Sequence, residues 1–239
     1  MVNTADIRAL LVTPDPWLVK HFTVVCEELG IEAQRSATTD GFPEELGLAK
    51  YEAVLVDFDT VPETLTSLTG VRESHGNRNA LVFAVATDTS HRHQALRLGA
   101  NFVFERPIAA NEIRRLLFTA YDLMVHESRR YFRCTAELPA LLSHSDAGAD
   151  LRCTTINISS TGMGLRTPSP LHLAQLVQIA LFLPGAGQAV SASGTVVWDD
   201  KHGKTGINFQ CSMPRDQSEL DAWLNTRFYE LLTPRHAIL

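Results

Sequence analysis

Three arginines fall within five residues in "RRYFR": Arg129, Arg130 and Arg133. A guanidinium is a planar fork of N–H donors that matches two oxygens of a phosphate, and the same fork pairs with O6 and N7 of guanine. The cluster suits an anionic or guanine-bearing ligand, or else a solvated basic end of a helix. Further along, "NISSTG" sets Asn157 and Ser159 two apart, with Gly162 behind them. Side chains at i and i+2 of a strand share one face, so an amide and a hydroxyl are offered together. Gly162 permits a tight turn and a close approach of the backbone. Alone, Asn and Ser at a strand end are ordinary turn chemistry. Trp198 ends the run "GTVVW" and is either a stacking surface or part of a core.

Other candidates carry less. His91 and His93 in "HRH" are neighbours on a helix pattern and do not converge on a metal. No Ser/His/Asp set, phosphate-binding glycine loop or pair of catalytic carboxylates stands at a recognisable spacing. No catalytic residue, metal or cofactor is therefore expected.

The elements that must hold these residues change character near residue 130. The first half alternates short apolar runs ("IRALLV", "IEAQRSA", "YEAVLVDFD", "ALVFAVAT", "NFVFERP") with segments of helical spacing, the last of them "AANEIRRLLFTAYDLMVHES". Five strands separated by helices predict a doubly wound α/β domain with a parallel sheet over 1–125. The second half reads as six short strands with polar turns, from "FRCTAELPALL" to "KTGINFQC". That predicts a small six-stranded antiparallel β-barrel over 126–239. A closing helix puts Leu220, Trp223, Leu224, Phe228 and Leu231 on one stripe.

Composition bounds the function. Apolar residues make up 45% and charged residues 20% of the 239, as in a packed protein. No apolar run approaches the ~20 residues of a membrane span, and "MVNTADIRALLV" lacks the basic start of a signal peptide. Cys26, Cys134, Cys153 and Cys211 are far apart, which suits reduced thiols in a cytoplasm. The net charge of −6 argues against nucleic acid as partner. Residues 1–125 hold 11 basic and 17 acidic side chains, whereas 126–239 hold 10 of each. The arginine cluster therefore stands on a neutral background.

The first half resembles the response-regulator receiver domain over about residues 5–125. "VLVDFDTVP" is similar to that family's third strand, with Asp57 at the phosphoacceptor position. The resemblance implies an acidic pair after the first strand that holds Mg²⁺ and a lysine before the fifth-strand proline. Here Thr13 and Pro14 replace the acids, Asp15 falls one step late, and Arg106 replaces the lysine. The expectation is a degenerate receiver with Asp57 as a vestigial phosphoacceptor, a retained surface carboxylate paired with Arg106.

The second half resembles the PilZ domain over about 126–235. That family's pattern is RxxxR followed by [D/N]xSxxG, matched by Arg129 and Arg133 and by Asn157, Ser159 and Gly162. The resemblance implies binding of cyclic di-GMP. Arg129, Arg130 and Arg133 would grip phosphate and guanine, Asn157 and Ser159 a guanine edge, and Trp198 a face. Ser128 stands where a further arginine is common. The expected protein is a non-enzymatic cyclic di-GMP effector with a pseudo-receiver for contacts to a protein partner. Two alternatives are a response regulator controlled by phosphorylation with PilZ output, and a PilZ-fold interaction module that binds no nucleotide.

Overall fold

The computed structural model describes residues 7–36, 42–58, 64–144 and 150–232, with the backbone alone at 42–44 and 64–67. The opening residues 1–6, read above for a signal peptide, lie outside the described residues. The chain divides into two compact units, with the break between Arg130 and Tyr131.

The first unit alternates β1 (Ile7–Val12), α1 (Pro16–Glu28), β2 (Ile31–Arg35), α2 (Phe42–Leu48), β3 (Ala53–Asp57), α3 (Thr64–Glu73), β4 (Leu81–Ala86), α4 (Thr89–Arg97), β5 (Phe102–Glu105) and α5 (Ala110–Arg130). All strand pairs are parallel, in the order β2-β1-β3-β4-β5. β3 and β4 have a neighbour on each side and are buried almost throughout, which is why they read as unbroken apolar runs. β2 lies at an edge and is partly exposed.

Local chemistry sets the ends of the helices. The Asp15 carboxylate accepts the N–H of Trp17 at 2.9 Å and caps α1, with Pro16 in the first turn. Gly30 then takes φ +70°, a left-handed conformation that suits glycine and stops the helix. α5 buries Ile113, Leu117, Ala120 and Met124 on one stripe. It runs past the expected end at Ser128, so Arg129 and Arg130 form part of its last turn.

The second unit contains β6 (Pro139–Ser143), β7 (Leu151–Ile158), β8 (Gly162–Arg166), β9 (Leu176–Leu181), β10 (Val190–Asp199), β11 (Lys204–Cys211) and α6 (Pro214–Leu231). The strands close an antiparallel barrel in the order β10-β11-β8-β7-β6-β9. Its core includes Leu142, Ile158, Leu165, Val196 and Ile207. α6 buries Leu220, Leu224 and Phe228, while Trp223 and Leu231 lie half-buried at the margin of that stripe.

The expected first barrel strand, from Phe132, begins only at Pro139. The buried Thr155 takes over the hydrogen bonds of the preceding segment. Its hydroxyl accepts the Leu138 N–H at 2.8 Å and donates to the Ala136 carbonyl. All four cysteines are free thiols. Burial pushes Cys26 up to about 12 and Cys153 and Cys211 to about 11, so these three are protonated and inert at neutral pH. Among the described residues no group of His, Cys, Asp or Glu is placed to hold a metal, and no helix is long and apolar enough to cross a membrane.

Candidate functional site

One backbone bridge brings part of each motif together. Cys134 donates its N–H to the Ile158 carbonyl at 2.7 Å, and Ile158 returns the bond at 2.8 Å. Cys134 and Ile158 are both buried in the barrel core. Pleat alternation then turns the flanking Arg133, Asn157 and Ser159 outward. On that outer face Arg133 Nη1 donates to Asn157 Oδ1 at 3.3 Å.

Ser159 builds the turn that follows. Its hydroxyl donates to the Gly162 carbonyl and accepts the Gly162 N–H, both at 3.1 Å. A hydroxyl has one proton and two lone pairs, so one lone pair remains for an outside donor. Gly162 serves by its size and not by a left-handed backbone. A Cβ there would stand 3.1 Å from Arg133 Nη2 and 3.5 Å from Ser159 Oγ. The missing side chain is the space the guanidinium uses.

Two β-bulges aim the remaining site residues. Strict alternation from Val196, which is 2% exposed, would send Trp198 into the core. A bulge between them reverses its direction, and Trp198 is 45% exposed. The reading of Trp198 as barrel core is therefore corrected. A second bulge, between the buried Thr155 and Asn157, turns Asn157 outward in the same way. Trp198 pairs with Gly206, Gly206 with Gly164, and Gly164 with Asn157, so the four form one row across β10, β11, β8 and β7. A Cβ at 206 would overlap the indole of Trp198. The ring thus lies on the glycine backbone. Sequence reasoning missed Gly164 and Gly206, although a glycine inside a strand signals such a close approach.

A groove of about 750 Å³ opens beside this row, lined by residues that include Thr161, Gln178, Asn208, Phe209 and Gln217. No charged side chain lines it, so it does not suit a phosphate.

Arg129 and Arg130 belong to the first unit. Arg129 is half-buried in the last turn of α5. Arg130 is exposed and stands 3.7 Å from the buried Glu127, which also meets Lys50 Nζ at 3.4 Å. Lys50 reaches the buried Glu52 at 3.7 Å. Burial raises the Glu52 carboxyl above its ordinary range, against the lowering effect of the Arg8 N–H and of Lys50.

The carboxyl ends of β1, β3 and β5 make a second polar cluster, in the crevice where doubly wound sheets take ligands. Asp57 is fully buried, which corrects its reading as a surface carboxylate. The expected partner is present: Arg106 Nη2 lies 2.8 Å from Asp57 Oδ2, and Nη1 lies 3.0 Å from Asp15 Oδ2. The Thr13 hydroxyl donates to Asp57 Oδ2 at 2.9 Å. Asp57 Oδ1 is buried with no hydrogen-bond partner. Burial alone would raise Asp15, but bonds from Arg106 and from the Trp17 and Leu18 N–H groups hold it below its ordinary value. One guanidinium therefore bridges both acids and puts fixed positive charge beside the aspartate.

Residues 127–225 match the family model of the PilZ domain. The first half aligns with receiver domains of solved structure. One is that of a sensor histidine kinase from Pseudomonas aeruginosa, at 19% identity, covering 49% of this chain and 98% of that one with a TM-score of 0.43. Another is a CheY-like receiver domain protein from Methanospirillum hungatei, at 16% identity, 51% and 98% coverage and a TM-score of 0.44. A third is the chemotaxis response regulator CheY4 of Vibrio cholerae, at 14% identity, 48% and 98% coverage and a TM-score of 0.43. Curated proteins give no match. Residues 127–225, which span the closed six-stranded barrel and part of α6, are similar to the PilZ domain, and they follow an α/β domain with the doubly wound strand order β2-β1-β3-β4-β5.

Proposed function

We propose that the protein is a non-enzymatic cyclic di-GMP effector whose receiver-like half serves contacts with a protein partner and not phosphoryl transfer. The observation that carries this is the pairing of Arg133 with Asn157 on the outer face of the barrel, one from each PilZ motif, 3.3 Å apart. A guanidinium there meets a phosphate or the O6/N7 edge of guanine. The Asn157 amide offers both donors and an acceptor to a base edge, and the remaining lone pair of Ser159 accepts from an amino group. Trp198 turns an indole outward on the same row, suited to stacking on a base. Arg129 and Arg130 precede Arg133 by at most four residues in the sequence and belong to the same arginine motif.

A phosphorylation-controlled regulator is disfavoured by Arg106. It already neutralises Asp57 and Asp15, and Thr13 and Pro14 stand where metal-holding carboxylates would be needed.

Calorimetric titration of the full chain with cyclic di-GMP tests the reading. Binding is expected, and Arg133→Ala should weaken it at least tenfold. A charge-assisted bond is worth ~1.5–3 kcal/mol, and ~1.4 kcal/mol is a factor of ten. A folded wild-type chain that gives no heat would favour the alternative of an interaction module that binds no nucleotide.

A further inference from the structure

α6 touches both motifs of the PilZ domain. In its first turns Gln217 Nε2 donates to the Ser160 carbonyl at 3.4 Å, inside the Asn157–Gly162 turn. The same nitrogen is oriented by Asp221 Oδ1 at 3.0 Å, one helical turn on. Near the other end, the fully buried Phe228 meets Phe132 edge-on, with ring centroids 5.3 Å apart and planes at 80°. Phe132 lies in the arginine segment and adjoins Arg133. Eleven residues separate Gln217 from Phe228, which is about 16 Å of helix at ~1.5 Å per residue.

The two segments also meet directly. The arginine segment reaches β7 through the Cys134–Ile158 bridge and the Arg133–Asn157 bond. The motif turn meets β11 through the Phe209 N–H, which donates to the Thr161 carbonyl at 2.9 Å. A helix is stiff along its axis, and this one is anchored to the barrel through Leu220 and Leu224.

We propose that α6 is a strut that steadies both ligand-holding segments, with Gln217 and Phe228 as positioning residues that do not touch the ligand. This rests on the cyclic di-GMP reading above. Gln217 holds the turn that presents Asn157 and Ser159, and Phe228 holds the segment that presents Arg133. Loss of either contact leaves every ligand-facing side chain in place chemically but less well held.

The test uses the full chain with Gln217→Ala and Phe228→Leu, titrated with cyclic di-GMP. Each should weaken binding about threefold to tenfold, the usual net worth of one such contact. Hydrogen exchange of the ligand-free protein separates positioning from general loosening. Gln217→Ala should speed exchange at the Gly162 and Phe209 amides and leave β9 unchanged. If wild-type protein binds and both variants bind equally well, the strut is refuted and the ligand reading stands. Exchange that quickens in all strands alike also refutes it, since Gln217 would then only support the barrel. If wild-type protein does not bind, the ligand reading itself fails. Should Phe228→Leu not fold, Gln217→Ala decides alone, because its side chain is not part of the core.

Discussion

Arg106→Ala should expose how much of the first unit rests on one guanidinium. The substitution removes two ion pairs, at 2.8 Å to Asp57 and 3.0 Å to Asp15. Asp57 has no exposure and keeps only the Thr13 hydroxyl on Oδ2, while Oδ1 has no partner even in the native protein. Stranding one partner of a buried pair typically costs ~3–5 kcal/mol. The Arg106 side chain is 28% exposed, so water can enter where the guanidinium was and repay part of this. A loss of about 2–3 kcal/mol is expected. With a urea slope of ~1–3 kcal/mol per molar, the midpoint should drop by about 0.7–3 M. Trp17 lies in the first unit, so a Trp198→Phe/Trp223→Phe background makes its fluorescence a probe of that unit alone. Adding Asp57→Asn removes the stranded charge and should recover at least half of the loss, a coupling that only a double-mutant cycle isolates. If Arg106→Ala unfolds within ~0.5 kcal/mol of its parent, a typical surface change, or if Asp57→Asn recovers nothing, the cluster is not an energetic pair and the account of a locked pocket fails.

Two further outcomes are expected. Acetyl phosphate with Mg²⁺ should add no phosphate to the chain by intact-mass spectrometry, and a gain that vanishes in Asp57→Ala would contradict this. The buried Glu52 has a raised carboxyl in the folded state, so its contribution is complete below its unfolded pKa and is lost as pH rises through the folded value. Glu52→Gln should therefore gain stability relative to wild type between about pH 4 and pH 7, near and above the ordinary Glu value. Urea midpoints at both ends that move the other way would overturn the assignment.

The strands and helices were legible because both periods are clean. β3 and β4 are unbroken apolar runs, and the buried face of α6 is the stripe of Leu220, Leu224 and Phe228. The resemblance to the PilZ pattern rests on the residue types and spacing of both motifs together, Arg129 and Arg133 with Asn157, Ser159 and Gly162. The direction of Trp198 was not, because a bulge inserts one residue and reverses every inside–outside assignment beyond it. The sequence suggests a tight turn and close backbone approach at Gly162, whereas its part is to leave room for a side chain 29 positions earlier, which no local pattern reports. The pairing of Asp57 with Arg106 is suggested by the sequence but the full burial of Asp57 is not, since carboxylates are seldom fully buried. Its partner comes from the far end of β5.

The strand order of the barrel fixes a timetable for its assembly. Chains are made from the N-terminus at ~5–20 residues per second, and domains fold as they emerge. β8 finds β7 at once, but its other neighbour is β11, and β6 must wait for β9. Until residue 211 has left the ribosome, the sheet of β6, β7 and β8 has an open edge at β8 and an uncovered apolar face. Trp198 reaches its glycine only when β11 inserts between β8 and β10. α6, the last described element to be made, then brings Gln217 and Phe228 to the motifs. The outer face that carries Arg133, Asn157 and Trp198 is thus finished only after β11 and α6 are made, well after the five strands of the first unit.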